Sequence, residues 1–159
     1  MAIEIERKFL VKNDSFKAFA EQTILIEQGY LAGEGDGVVR VRVTGENAVI
    51  TIKSGNAENG IARYEWEYPV PVEDACEMMK MCGSGIIRKT RYVVPAGKHV
   101  FEVDVFHGDN EGVVIAEVEL SAEDEIFDHP DWLGAEVTMK KCYYNAFLAR
   151  HPYKEWKKA

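Results

Sequence analysis

The 159-residue sequence lacks the features typical of secreted, membrane-spanning and nucleic-acid-binding proteins. No stretch approaches the roughly 18 apolar residues that a membrane span requires. The first residues, MAIEIERKFLVK, mix charges without an apolar run and do not predict a secretory signal. With 27 acidic against 19 basic residues, the formal charge of -8 argues against a general nucleic-acid-binding surface. We therefore expect a cytoplasmic protein that binds neither nucleic acid nor a membrane.

Cysteine is scarce. The three cysteines form no CxxC pair, which favours reduced, structural thiols over a disulfide framework or a zinc site. The four histidines share no spacing typical of metal ligands. Hydrophobic residues at 47% and charged residues at 29% are ordinary for a globular chain. We expect residues 1–159 to form a single domain.

Alternation of polar and apolar residues with a period of two is the dominant pattern, and it is typical of β-strands. It predicts eight strands and a shorter ninth, separated by turns rich in glycine, asparagine and proline. The predicted strands are Ala2–Val11, Thr23–Leu31, Val38–Thr44, Ala48–Lys53, Ala62–Val70, Ile87–Val94, Val100–Phe106, Val113–Leu120 and Ala135–Thr138. Because most connections are short, we expect a mainly β, α+β protein whose antiparallel sheet closes into a barrel.

Short helices are predicted in four places from capping residues, apolar spacing of three and four, and prolines. They run from Asp14 to Gln22, over Val72–Cys82, for one or two turns after Ser121, and over Cys142–Arg150.

The polar positions of the alternating strands are almost all charged, which an ordinary half-buried sheet does not require. Like charges follow each other two residues apart, as in Arg40 and Arg42, where they repel mildly. The acids are Glu4, Glu6, Glu65, Glu67, Glu102, Asp104, Glu117 and Glu119. The bases are Lys8, Arg40, Arg42, Lys53, Lys89 and Arg91.

Two interpretations of this charged face are open. It is either a solvated outer face that protects sheet edges, or the lining of a barrel whose apolar residues point outward beneath helices or a second subunit, which allows a homodimer. We favour the lining, since a surface built for solubility would also use neutral polar residues. Buried charges must be compensated. Carboxylates suit Mg²⁺ or Mn²⁺, and arginine and lysine suit a polyphosphate.

The segment Glu4–Lys8 resembles the ExExK signature of the CYTH superfamily, the triphosphate tunnel metalloenzymes. ExExK alone is a weak signal, but other motifs follow in the order and approximate spacing of the short bacterial members. They are Gln28–Leu31, Arg40-x-Arg42, Thr51–Lys53, Glu65-x-Glu67, Arg88–Tyr92, Phe101–Phe106, Glu117-x-Glu119 and Gly134–Thr138. The resemblance implies an eight-stranded antiparallel closed β-barrel, or tunnel, with a few flanking helices and a C-terminal plug helix.

The resemblance also implies roles for individual side chains. The implied metal-side acids are Glu4, Glu6, Asp104, Glu117 and Glu119. The implied triphosphate-binding bases are Lys8, Arg40, Arg42, Lys53, Lys89 and Arg91. Other implied tunnel residues are Glu65, Glu67 and Glu102.

Our hypothesis places one ion at Glu4, Glu6 and Glu119 and a second near Asp104 and Glu117. Lys8 and Lys89 are candidate catalytic bases as well, since two ammonium groups close together would lower one pKa. The chain departs from the family pattern after Thr138, so no family contact is carried over to Met139–Tyr143.

The implied function is a divalent-metal-dependent triphosphatase that hydrolyses the terminal phosphate of inorganic tripolyphosphate, and of nucleoside triphosphates to some extent. Three alternatives are a class IV-type adenylate cyclase, a thiamine triphosphatase and a non-catalytic polyphosphate- or nucleotide-binding protein. The sequence shows no residues for a base pocket or an aromatic platform. It leaves open the physiological substrate, the preferred metal, the group that activates water and the oligomeric state.

Overall fold

The computed structural model describes residues 2–32, 37–55, 62–83 and 85–156. Nine strands form one sheet in the order β5-β4-β3-β2-β6-β7-β8-β1-β9, with a further pairing of β5 to β1. The strands are β1 (Ala2–Val11), β2 (Gln22–Ala32), β3 (Gly37–Thr44), β4 (Asn47–Ser54), β5 (Ala62–Val70), β6 (Ile87–Ala96), β7 (His99–Phe106), β8 (Val114–Glu119) and β9 (Leu133–Glu136).

Strand β1 closes the barrel because it pairs with strands on both of its sides. Its first half is antiparallel to β5, with Ala2 opposite Glu65. Its second half is antiparallel to β8, with Glu6 opposite Glu119. Strand β9 is an addition that pairs with the end of β1. The predicted eight-stranded antiparallel closed barrel is confirmed.

All predicted strands are present, with ends that differ by at most two residues. The largest displacement is in β9, which was expected over Ala135–Thr138. It begins at Leu133 because Gly134 lets the two backbones approach. A Cβ at Gly134 would lie 2.8 Å from the carbonyl oxygen of Leu10.

The helices are shorter than predicted. Helix α1 (Val72–Lys80) is present, and helix α2 covers only Asn145–Arg150. The predicted helix from 142 is interrupted because Tyr144 has extended backbone angles, so residues 141–143 form a separate 3-10 turn. None of the described helices combines the length and the apolar character that crossing a membrane requires.

Two local helix predictions were partly or wholly wrong. The first helix is a 3-10 helix over Asp14–Phe19, capped by the side chain of Asn13, which accepts from the Ser15 N–H at 2.9 Å. The helix predicted after Ser121 is absent. There the Glu125 carboxylate, four residues on, accepts from the Ser121 N–H, so this segment folds as turns.

The main hydrophobic core lies outside the barrel, between the outer sheet face and the segments that cover it. The cluster on β1, β6, β7 and β8 is covered by Phe16, Phe127 and Trp132. Helix α1 covers β3 and β4 with Ala75 and Met79. Covering segments thus bury a large part of the apolar outer face, and the interior is free for polar side chains. Other apolar residues of the outer face stay exposed: Ile3, Leu25, Ile52, Tyr64 and Tyr68.

At one end of the barrel the interior is apolar. Leu148 of α2 packs against Ile87, Phe106 and Ile115 there, and all four side chains are buried. The C-terminal helix therefore closes this end, as the plug helix was expected to do.

The outward-facing core predicts that Phe101 is important for stability. Phe101 is fully buried, with its ring centroid 6.2 Å from that of Phe127 and 5.3 Å from that of Trp132. Replacing it opens a cavity, so Phe101→Ala should lower the free energy of unfolding by about 3–5 kcal/mol in denaturant titrations. The exposed neighbour gives the control: Val100→Ala should change it by about 0.5 kcal/mol or less. Equal losses in both variants would contradict this packing.

Candidate functional site

The charged residues of the strands surround a cavity of about 250 Å³ inside the barrel. Successive strand residues point to opposite faces, so residues two apart share the interior. The predicted residues that line it are Glu4, Glu6, Lys8, Arg40, Arg42, Lys53, Glu65, Glu67, Lys89, Arg91, Glu102, Glu117 and Glu119. Of the two interpretations of the charged face, the lining is correct.

Acids and bases occupy opposite halves of the barrel. Going round the sheet, the neighbouring strands β7, β8, β1 and β5 carry the lining acids. The neighbouring strands β4, β3 and β6, with β2 between the last two, carry most of the lining bases. We call these halves the acidic wall and the basic wall. Lys8 and Arg63 are the bases that lie on the acidic wall.

The carboxylates of the acidic wall are close enough to affect one another. Burial, and next the charge of Glu117, raise the pKa of Glu6 to about 7. Burial also raises the pKa of Glu119, to which Glu4 and Glu6 contribute by repulsion. Burial alone would raise the pKa of Glu117, but Lys8 and other cations outweigh it and hold that pKa well below its usual value.

Two lysines compensate part of this negative charge. The Lys8 Nζ lies 2.9 Å from Glu117 and 3.5 Å from Glu6. The Lys53 Nζ lies 2.9 Å from a carboxylate oxygen of Glu4. The pairs of Lys8 lie within the acidic wall, and the pair of Lys53 with Glu4 connects the basic wall to it. Neither Arg40 nor Arg42 takes part in these pairs.

Arg40 and Arg42 are the least compensated cations of the basic wall. Within residues 2–32, 37–55, 62–83 and 85–156, neither has a carboxylate within 4.0 Å. The Arg42 Nε donates to Gln28 at 2.8 Å, and Arg40 donates to Thr51 at 3.3 Å. Burial, then repulsion by Arg40 and Arg91, lowers the pKa of Arg42 to about 10. The buried Nε of Arg40 has no hydrogen-bond partner among the described residues.

Asp104, which was predicted as a metal-side acid, is set apart from the other predicted acids in the structure. It lies outside the cavity lining and is almost fully buried. Arg91 donates to its two oxygens at 2.8 and 2.9 Å, and the Lys89 Nζ lies 2.7 Å away. Burial opposes ionisation of Asp104, but Lys89 and Arg91 outweigh it and lower its pKa. In this structure both oxygens of Asp104 are therefore paired with cations of the protein.

This architecture matches a known family. Residues 2–145 match the model of the CYTH domain, nearly the whole chain. The chain belongs to the CYTH family.

This CYTH chain is similar to two proteins named inorganic triphosphatase. It is 42% identical over 158 residues to a protein of Acetivibrio thermocellus named inorganic triphosphatase, covering 99% of each chain. It is 36% identical over 151 residues to a Nitrosomonas europaea protein of the same name, covering 92% of this chain and 96% of that one. The crystal structure of an inorganic triphosphatase, 33% identical, superposes with a TM-score of 0.67 and covers 94% and 95% of the two chains.

The two lysines expected to act as bases differ. Burial lowers the pKa of Lys8, but Glu117 and Glu6 outweigh it and raise that pKa above its usual value. Burial lowers the pKa of Lys89 to about 7; Asp104 opposes this, and Arg91 and Arg42 add to it. The repulsion that lowers the pKa of Lys89 was predicted to come from Lys8, but it comes from Arg91 and Arg42.

Several lining residues of the CYTH barrel were not predicted. They are Tyr30, Val38, Thr51, Arg63, Tyr144, Asn145 and Ala146. Alternation could have found Thr51 and Arg63, since each stands two residues from a predicted lining residue. No local signal could have found residues 144–146, because they enter the barrel end only through the packing of α2.

The acidic wall of the CYTH barrel has the donor chemistry for a hard divalent cation. Among the described residues, no three acidic, histidine or cysteine side chains are arranged as a ready metal site. However, burial raises the pKa of Glu119, and repulsion by Glu4 and Glu6 raises it further. Mg²⁺ and Mn²⁺ prefer oxygen ligands, and a cation here would relieve the repulsion. The residues present therefore fit such an ion.

The raised pKa of Glu6 predicts that the stability of the metal-free protein depends on pH. Its pKa rises from 4.5 to about 7 on folding, so its contribution to stability is lost as the pH rises through that interval. In chelator, Glu6→Gln should be more stable than the wild type by about 1–3 kcal/mol at pH 8. The difference should shrink towards pH 4.5. Denaturant titrations at the two pH values measure this.

The control is the exposed turn residue Glu46, since Glu46→Gln should show no such pH-dependent gain. Equal stability of Glu6→Gln and the wild type at pH 8 would show that Glu6 is ionised without cost in the folded protein.

Proposed function

We propose that this chain is a divalent-metal-dependent inorganic triphosphatase that hydrolyses the terminal phosphate of tripolyphosphate inside the barrel. The observation that carries the proposal is the uncompensated pair Arg40 and Arg42, facing a wall of mutually repelling carboxylates. Such a cavity attracts an anion on one side and a metal cation on the other. The names of the relatives from Acetivibrio thermocellus and Nitrosomonas europaea agree with this activity.

The size of the cavity supports an inorganic substrate. At about 250 Å³ it lies below the roughly 300–1,000 Å³ of pockets that enclose drug-sized ligands. A nucleotide would have to leave its base and ribose outside. A short phosphate chain needs no pocket for an organic group.

In this proposal the acidic wall binds the metal ion and the basic wall binds the phosphate groups. Glu4, Glu6, Glu117 and Glu119 would hold Mg²⁺ or Mn²⁺, which supplies charge neutralisation and acidifies bound water. The bases Arg40, Arg42, Lys53 and Arg91 bind phosphate oxygens. They stabilise the negative charge that develops on the leaving diphosphate as water displaces it from the terminal phosphorus.

Lys8 and Lys89 differ in what they can do with a proton. The raised pKa of Lys8 keeps its ammonium charged, so Lys8 serves binding and compensation. The pKa of Lys89, lowered to about 7, lets that amine exchange a proton near neutral pH. A general acid or base needs this property. We assign the proton-transfer role to Lys89.

An assay of products separates the four candidate functions. With Mg²⁺ or Mn²⁺, tripolyphosphate should give equal amounts of phosphate and diphosphate, faster than ATP or thiamine triphosphate is hydrolysed. Diphosphate with cyclic AMP from ATP would instead identify an adenylate cyclase. Faster hydrolysis of thiamine triphosphate would identify a thiamine triphosphatase. Tight binding without turnover of any of the three would identify a binding protein.

Arg42 is expected to contribute to activity and not to stability. Arg42→Ala removes one uncompensated cation, so kcat/KM for tripolyphosphate should fall about 100-fold or more. The melting temperature should change little, because the cost of burying this charge next to Arg40 is removed while the buried carbonyl oxygen of Gln28 loses its partner.

The control for Arg42 is Arg88, an exposed arginine on β6 that pairs with Glu27 outside the barrel. Arg88→Ala should leave kcat/KM within about two-fold of the wild type, since a single exposed ion pair contributes little. Similar activity losses in both variants would contradict a substrate-binding role specific to the tunnel.

A further inference from the structure

Two neutral amides, Gln28 and Asn145, connect the bases at the closed end of the barrel. The Oε1 of Gln28 accepts from the Arg42 Nε at 2.8 Å, and its Nε2 donates to the Tyr30 hydroxyl at 2.9 Å. The same Nε2 donates to the Oδ1 of Asn145 at 3.3 Å. That Oδ1 also accepts from the Lys89 Nζ at 2.9 Å. These hydrogen bonds join helix α2 to two substrate-binding bases.

Gln28 is fully buried on β2, the strand of the basic wall that contributes no charged side chain to the lining. A buried amide without partners would be costly, and here its carbonyl oxygen and its amino group are both used. Gln28 therefore has one defined orientation. Its carbonyl oxygen faces Arg42 and not solvent.

An amide acceptor differs from the other acceptors in this barrel. Lys8, Lys53 and Arg91 each bind a carboxylate, which compensates their charge. The amide of Gln28 fixes the direction of the Arg42 guanidinium without adding a negative charge. Arg42 thus keeps its full positive charge for a ligand, together with Arg40.

We propose that Gln28 is a positioning residue that orients Arg42 towards a phosphate group. Asn145, at the start of helix α2, accepts hydrogen bonds from Gln28 and from Lys89 and so orients Lys89 in the same way. The inference rests on the proposed function, since the ligand is the triphosphate. It makes the neutrality of Gln28 a requirement for substrate affinity. It also makes α2 a part of the substrate site instead of only a cover.

The test compares Gln28→Glu with Gln28→Met. Gln28→Glu keeps the shape and the acceptor but pairs Arg42 with a carboxylate and removes the donor to Tyr30 and Asn145. The new ion pair offsets the lost donor, so the melting temperature should stay close to that of the wild type. It should weaken tripolyphosphate binding by about ten- to a hundred-fold, the range expected for one charged hydrogen bond. Gln28→Met leaves the Arg42 Nε without its acceptor, and should lower the melting temperature while weakening binding less than Gln28→Glu.

Melting temperature and tripolyphosphate affinity should therefore rank the two variants in opposite orders: Gln28→Glu is the more stable and Gln28→Met binds more tightly. Binding is measured by isothermal titration of tripolyphosphate into chelator-treated protein, and turnover as kcat and KM with Mg²⁺. The loss in Gln28→Glu should be mainly in Kd and KM. A purely structural role for Gln28 would make affinity follow stability, with Gln28→Glu binding more tightly than Gln28→Met. That order, or wild-type affinity in Gln28→Glu, would overturn the proposal.

Gln22→Glu is the matched control, since Gln22 is exposed at the start of the same strand, about 20 Å away along it. The same added charge at that distance is screened, so its Kd should stay within about two-fold of the wild type.

A second pair of variants tests the proposal independently if Gln28→Glu does not fold. Asn145→Asp should weaken tripolyphosphate binding more than Asn145→Ala does, although it preserves the acceptor for Lys89. The reverse order would overturn the role of Asn145. A wild-type protein that neither binds nor hydrolyses tripolyphosphate would instead refute the proposed function, and so the two failures are distinguishable.

Discussion

The structure depends on one constraint, which is that charge buried inside a barrel must be compensated. The interior meets this constraint with two walls of opposite sign. Lys53 reaches from the basic wall to Glu4, Lys8 pairs with Glu117 within the acidic wall, and Asp104 pairs with Lys89 and Arg91. Compensation within the protein is incomplete at two places: among the crowded glutamates of β1 and β8, and at the arginines of β3. In the function proposed above, a metal ion and a polyphosphate complete it.

The same constraint explains why the hydrophobic core lies outside the barrel. Each strand that points a charge inward points its next residue outward, and most of the outward residues are apolar. Many of them are covered by the 3-10 helix at Asp14–Phe19, by the chain around Phe127 and Trp132, and by helix α1. The barrel wall therefore has a polar inner side and a largely apolar outer side, much of it covered by the protein's own chain.

Much of this could be predicted from the sequence because strand alternation is local. The period of two assigns each residue to a face, and the charges on one face predict the chemistry of the lining. The place of each residue along the tunnel could not be predicted in this way. Asp104 shares a face with Glu102, yet it lies behind the lining, because Arg91 and Lys89 enclose it. Asn145 reaches the cavity through tertiary packing of α2, for which no periodic signal exists.

Helices were predicted less well, for a related reason. Their ends are set by single hydrogen bonds that compete with one another. Asn13 instead of Asp14 caps the first turn, and the Glu125 carboxylate takes the N–H of Ser121. Sequence patterns show which residues are able to cap. They do not show which of them will.

Strand β1 has a consequence for the order of events during synthesis. It carries Glu4, Glu6 and Lys8, but its partners β5, β8 and β9 all lie later in the chain. The contact between Lys8 and Glu117 spans 109 residues. Loop closure over such a distance is slow. The charged side chains of β1 therefore stay solvated until most of the chain has been synthesised. Strands β2 to β5 pair between neighbours in sequence, whereas the acidic wall is complete only when the late strand β8 reaches β1.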